Sequence, residues 1–151
     1  MPSLSKRYMN WTNVVFTPAV VGATEIQFSG VTSVQIDPGG SLAKFSGDGD
    51  RYPTLIINDF NEPTMTVHTA DLSALRQCSV GAVGTIQATL MDARNGSGAG
   101  AITYVMTNAV VATNPLKGGH RQFGESTITF HGYSADGTTN PLTSTIVGDT
   151  P

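Results

Sequence analysis

Apolar and polar residues alternate with a period of two along most of the chain. In residues 84–91, Ile86, Ala88 and Leu90 alternate with Thr85, Gln87 and Thr89; in residues 126–133, Ile128 and Phe130 alternate with Thr127, Thr129 and His131. Successive side chains of a strand point to opposite faces, so each segment predicts a strand with one core face and one outward face. Residues 25–28 and 31–36 predict two more strands, parted by Ser29-Gly30 and ended by Asp37-Pro38-Gly39-Gly40. Residues 54–58 and 64–68 flank the turn Asp59-Phe60-Asn61-Glu62-Pro63. Residues 101–113 predict a long strand that forms a hairpin with 84–91 across the glycine-rich tip 95–100. An early strand and turn run through Val14-Val15-Phe16 to Ala23, Asn114 to Gly119 break the long strand, and residues 143–147 predict a short last one. Residues 41–53 are too polar for a core strand and read as a long excursion centred on Gly47-Asp48-Gly49-Asp50-Arg51. One helix is predicted, from Asp71 to about Ser79, capped by Thr69 or Asp71, with Leu72, Leu75 and Cys78 or Ser79 on one face and Gly81 as its stop. The fold class is therefore mainly β, a sandwich or barrel of roughly seven to nine strands with one short flanking helix, in a single domain spanning 1–151.

The outward faces are polar but carry almost no charge. Only 13% of the residues are charged, against about 25% in an ordinary soluble domain. Solvent-facing strands ordinarily carry charges that block edge pairing. Faces of Thr, Gln and Ser suit an assembled lumen or a sheet shared between subunits, and a surface of this kind tolerates being covered by protein. The net charge of −3 argues against a duplex-binding protein with a basic face. Cys78 is the single cysteine, so no internal disulfide is possible. The interrupted apolar run after Lys6 and Arg7 lacks the core of a signal peptide, and no stretch approaches the roughly 18 apolar residues of a membrane span. The chain is expected to be made in the cytoplasm.

Catalytic constellations are not found. His68, His120 and His131 are scattered and no Cys-x-x-Cys pair exists, so no metal or other cofactor is implied. Asp48-Gly49-Asp50 resembles the start of a calcium loop but lacks the later carboxylates, which favours a solvated loop tip. Ser97 has no nucleophile-elbow context, and Asp37, Asp59, Asp92 and Asp136 sit at strand ends where aspartate favours turns. The expectation is a non-enzyme. Two basic groups, Lys6/Arg7 and Lys117/His120/Arg121, serve either solubility or contact with an acidic loop of a neighbour, and Trp11 and Phe16 either cover the sandwich or anchor such a contact.

The run Gly118-Gly119-His120-Arg121-Gln122-Phe123-Gly124-Glu125-Ser126-Thr127-Ile128-Thr129-Phe130-His131-Gly132-Tyr133-Ser134-Ala135-Asp136-Gly137 resembles the penultimate-strand region of bacteriophage tail tube proteins. In that family a glycine-bearing loop leads into a long strand that ends in an Ala-Asp-Gly turn. Ala101 to Thr113 resembles the preceding strand, and the order of elements is similar over most of the chain. The resemblance extends to the related tubes of contractile injection systems and type VI secretion. It implies a β-sandwich with a flanking helix, six copies closing into a ring whose sheets form a continuous inner barrel, and rings stacking into a tube. It also implies location in the virion tail, partners among sheath, terminator and baseplate proteins, and DNA passing through the lumen without specific binding. The family's inter-ring loop falls on residues 41–51, with Ser41, Lys44, Asp48, Asp50 and Arg51 as contact candidates. The tail 143–151 has no place in the family pattern.

Candidate lumen faces are Thr85, Gln87 and Thr89, or Thr127, Thr129 and His131; candidate intersubunit residues are Lys6, Arg7, Trp11, Lys117 and Arg121. Two further readings stand beside the tube. One is a terminator or connector, which forms a single ring that does not propagate. The other is a carbohydrate-binding module using Tyr52 or Tyr104, although one Trp and four Tyr make a poor aromatic platform.

Overall fold

The computed structural model describes residues 9–92, 101–117, 120–121 and 124–146. Its strands are β1 (Met9–Pro18), β2 (Ile26–Phe28), β3 (Val31–Asp37), β4 (Ser41–Phe45), β5 (Leu55–Phe60), β6 (Thr64–Thr69), β7 (Val83–Asp92), β8 (Ile102–Thr113), β9 (Leu116–Lys117), β10 (Glu125–Gly132) and β11 (Leu142–Ile146); the helix α1 is Leu72–Arg76. Mainly β architecture with a single short helix is what the alternation predicts. The strand number is larger than expected, because the polar excursion contains β4 and the segment predicted to break the long strand contains β9. The glycine-rich tip 95–100 and the end of the tail, 147–151, lie outside the described residues.

Every strand pair is antiparallel. One sheet runs β2-β1-β7-β8-β10-β6-β3, with β11 added beside β8 and β9 beside β10. Of the predicted inward set, Ile86, Ala88, Ile128 and Phe130 are fully buried and Leu90 is half-buried; Phe16, Met65, Val67 and Met106 are fully buried beside them. Phe16 on β1 meets Phe130 on β10 with ring centroids 5.1 Å apart and planes tilted by 37°. Two strands lie between β1 and β10 in the ladder, so this contact requires the sheet to curl into two facing walls. Tilted aromatic pairs of this kind contribute about 0.5–1.5 kcal/mol beyond burial of their area.

Two left-handed asparagines make the curl possible. Asn13 (φ 48°) lies where the β1–β7 register slips between Thr12 and Val15, and Asn108 (φ 54°) lies where the β7–β8 register slips between Gly84 and Ile86. Asparagine tolerates this conformation better than most residues, and a bulge bends a strand sharply. The bend at Asn108 divides β8. Its first half pairs with β11, from Ile102 to Met106, and its second half pairs with β10, from Ala109 to Thr113.

The curled sheet is tied shut around the β2–β3 link. Asp71 accepts hydrogen bonds from the Ser29 N–H (3.0 Å) and Ser29 Oγ (2.9 Å) through one oxygen, and caps α1 through the other at the Ala74 N–H (3.0 Å). Burial pushes the Asp71 carboxyl up, but these bonds outweigh it and hold it below the ordinary value of 3.8. Buried Thr69 donates to the Ser29 carbonyl at 2.7 Å and accepts from the Asp71 N–H at 3.0 Å. At the other end of the helix, the Asn114 amide donates to the Leu75 and Cys78 carbonyls, both at 2.7 Å. Cys78 is buried and its thiol is pushed up to about 11 by that burial, which leaves it a small apolar filler.

Phe130→Ala removes one ring of the pair that joins the two walls. Chemical unfolding is expected to register a loss of about 3–5 kcal/mol without a change of fold.

Candidate assembly surfaces

The outward face of the wall built from β1, β7, the first half of β8 and β11 is a field of hydroxyls. Thr12, Thr89, Thr103 and Thr145 stand in register across all four strands. The next row is Val15, Gln87, Val105 and Thr143, and Thr17 pairs with Thr85 beyond it. Thr89 Oγ1 lies 3.2 Å from Thr103 Oγ1, and Thr12 donates to the Thr89 carbonyl at 3.4 Å. Thr89 is thereby buried, while Gln87 is exposed and Thr85 half-buried. Residues 10–18, 83–91, 102–113 and 142–146 contain no Asp, Glu, Lys or Arg.

The second predicted polar set occupies the other wall. Thr127 meets His68 Nδ1 at 2.8 Å, His131 Nδ1 meets Glu62 Oε1 at 2.8 Å, and Thr129 pairs across the ladder with Thr66. Because Phe16 and Phe130 face each other between the walls, the two polar sets point in opposite directions. One lumen cannot be lined by both.

The four-stranded wall has two open edges among the described residues. On one side, β2 covers β1 only from Val14 to Phe16, leaving residues 9–12 paired with β7 alone and Asn13 in the bulge. On the other side, β11 pairs only with β8. Neither edge bears the charge or proline that ordinarily blocks strand addition, apart from Pro18 at the far end of β1.

The predicted excursion is an arm. β4 and β5 form a two-stranded sheet of their own, outside the main sheet. Leu42, Phe45, Leu55, Ile56, Ile57 and Phe60 stand between 49% and 63% exposed on it. An isolated two-stranded ribbon is marginal in water, and this apolar exposure is larger than scattered surface residues account for. The arm is anchored at its base by Gly39, whose φ of 68° is left-handed and where any side chain would strike the Glu62 backbone. Of the residues assigned to this segment, Ser41 donates to the Phe60 carbonyl at 3.4 Å, and Lys44, Asp48 and Arg51 are exposed. Asp50 accepts from the Gly47 N–H at 2.8 Å, a turn-forming bond. No group of three or more His, Cys, Asp or Glu able to hold a metal occurs among the described residues.

A groove of about 620 Å³ opens beside the arm's base, between residues 59–63 and the loop that follows β10. Phe60 and Tyr133 are exposed at its walls. The loop is shaped by Asp136, which accepts from Thr139 Oγ1 (2.6 Å), the N–H groups of Thr139 (2.8 Å) and Thr138 (2.9 Å), and Ser134 Oγ (2.8 Å). These donors, the Thr139 hydroxyl first, hold its carboxyl well below the usual carboxylate range.

The remaining assigned residues are dispersed. Trp11 is half-buried against Tyr104, with ring centroids 6.2 Å apart, and Phe16 is fully buried in the core. Tyr104 therefore offers no open aromatic platform, whereas Tyr52 is exposed at the arm's tip. Arg121 is exposed in a turn with φ 60°, the backbone of Lys117 lies in β9, and Lys6 and Arg7 fall outside the described residues. The turn expected before Ala23 is present, but the exposure of Val20 and Val21 on it and the Phe60–Tyr133 groove have no counterpart in the sequence reading. A signal for the first exists: two valines directly before Gly22 form an apolar pair where a polar turn is usual.

Among solved structures, the chain is similar to a chain of the six-fold-symmetrised baseplate of the anti-feeding prophage, with a TM-score of 0.51 over 97% of both chains at 12% identity. It is also similar to a chain of the anti-feeding prophage cap, described as tube-terminating, with a TM-score of 0.50 over 89% of both chains at 12% identity. At such identity the likeness is one of fold. No protein-family model matches the chain, and no curated protein does.

The Asp136 cage has a definite pH dependence. A depressed carboxyl stabilises its loop above the unfolded value near 3.8 and loses that contribution as pH falls through the folded value. Carbon-detected NMR of the Asp136 carboxyl is expected to give a midpoint below 3.8, and Asp136→Asn, which removes the titrating group, should weaken the loop at neutral pH and abolish this acid-induced change.

Proposed function

We propose that this chain is a non-enzymatic structural subunit of a phage-like tail, and that within the tail it builds the tube. The observation that carries the reading is the uncharged threonine wall with, among the described residues, an open edge on either side. A rotation that brings β11 of one copy beside residues 9–13 of the next joins the walls without breaking any existing ladder. Successive copies keep the same strand sense about the ring axis, so the new pair is antiparallel like all the others. Closure of the ring removes every such edge. The full-length likeness to a chain of a six-fold-symmetrised baseplate supports six copies per ring.

In this reading the wall of β1, β7, β8 and β11 faces the lumen, with Thr12, Gln87, Thr103 and Thr145 at its surface. Neutral hydroxyls and a net negative chain offer phosphates neither a cationic anchor nor a stacking platform, so DNA slides through unbound. The arm, carrying Ser41, Lys44, Asp48, Asp50 and Arg51, reaches the adjoining ring and buries its apolar faces there. The particle's tail is the location, and sheath, terminator and baseplate proteins are the neighbours. The likeness to a tube-terminating cap favours a second reading, in which one ring closes the tube and does not propagate.

Negative-stain electron microscopy across a concentration series tests both. Hollow tubes with a regular axial repeat are expected; isolated rings would favour the terminating role, and monomers at every concentration would remove the ring reading. Ile56→Asp on the exposed arm is expected to leave the monomer's melting temperature within a few degrees of the parent while abolishing stacking.

A further inference from the structure

We infer that the β1–β2 turn of one copy, with Val20 and Val21 at its tip, seats in the Phe60–Tyr133 groove of the next copy in the ring. The inference rests on the edge-joined ring proposed above and adds the contact that fixes one copy's position against its neighbour.

The turn is a rigid apolar knob. Val20 is 73% and Val21 101% exposed, so neither side chain packs on its own domain. The backbone beneath them is fixed by an Ala23 N–H to Val20 carbonyl bond of 3.1 Å, with Gly22 at φ 82° in the position that a type II turn reserves for glycine. A second bond, from the Ala19 N–H to the Val83 carbonyl at 2.9 Å, ties the turn to β7. Residues 19–24 carry no charge, so burying them leaves no ion unpaired.

The groove matches the knob in position and offers it two exposed rings, Phe60 and Tyr133, above the buried Pro63 and Pro141 and between polar walls that include Asp59, Asn61, Glu62 and Thr139. At Gly132 a side chain would collide with Met106 Sδ and Pro63 Cγ. Pro18, Gly84, Ala109 and Gly132 form one transverse row of the sheet. The knob projects just past Pro18 at one end of that row, and the groove begins at Gly132 and Tyr133 at the other. Knob and groove therefore lie at the same level on opposite sides of the molecule, which is the layout of a head-to-tail contact.

The strand edges lead to the same pairing. β11 starts at Leu142, directly after the groove wall at Pro141. When residues 9–13 of a second copy pair antiparallel with Leu142–Ile146, that copy's β1 leaves the ladder at the Leu142 end. Its β2 and the 20–23 turn then continue toward the groove. A polar occupant would leave the Phe60 and Tyr133 rings wet, whereas the valine pair covers them.

Crosslinking between copies tests this. The double variant Val21→Cys/Thr138→Cys, treated with a short bismaleimide under assembling conditions, is expected to run as a ladder from dimer to closed ring on a denaturing gel. Each single variant should give no ladder, because Cys78 is buried. Val20→Asp/Val21→Asp is expected to raise the protein concentration needed for rings on the order of tenfold or more. Rings that form without the crosslink, and that form equally well with both aspartates, would overturn the knob-in-groove contact and leave the ring reading intact. A parent chain that forms no rings under any condition would overturn both.

Discussion

A sheet has two faces, and this chain supplies large apolar side chains for only one of them. That imbalance governs the rest of the structure. The apolar face is buried by folding the sheet over itself until Phe16 and Phe130 meet, with bends at Asn13 and Asn108 and with the Ser29–Asp71–Thr69 bonds holding the fold closed. The other face is left outside on both walls. There it is threonine, glutamine and histidine, hydrogen-bonded across strands and almost uncharged. Curling does not close the ladder at every level, so among the described residues edges remain beside residues 9–13 and along β11.

Those edges and the arm are the parts that an isolated domain would be expected to protect. An exposed strand edge without charge is a template for another strand, and an apolar ribbon in water is a surface awaiting cover. Both sit on a chain whose fold is similar, over nearly its whole length, to that of a chain of the six-fold-symmetrised anti-feeding prophage baseplate. The proposed ring uses each feature once: edge to edge within a ring, knob to groove beside that edge, and arm between rings.

The core was legible in the sequence because burial acts through a strict period. Ile86, Ala88, Ile128 and Phe130 are inward as the alternation requires, and Asp71 caps the helix as its position before an apolar run suggests. The arm is not legible in the sequence, because period-two alternation marks only strands that have a core side and a solvent side. Ser41–Phe45 pairs only with Leu55–Phe60, so no solvent-excluding layer imposes alternation on it. Thr85, Gln87, Thr127 and Thr129 alternate with the core residues of their strands, but one sequence cannot show that β7 and β10 lie on opposing walls. That follows from the bend at Asn108, a single residue whose left-handed backbone leaves no pattern beyond being an asparagine inside a strand. Asn114 was read only as a strand breaker, while its amide closes the helix end 36 and 39 residues away in the chain.

The divided strand β8 also determines how the domain bears load. Along one side it is laddered to β7; along the other it is held by β11 and then by β10, with Asn108 between them. A tug along β11 strains its five paired positions in shear, together rather than one after another. The force then enters β8 and divides between β7 and β10, reaching both walls through a single backbone. Stiffness therefore concentrates in the antiparallel ladders, and compliance at the one bulged residue where the walls diverge. Under tension the domain behaves as two plates on a common spine, with Asn108 as its point of flexure.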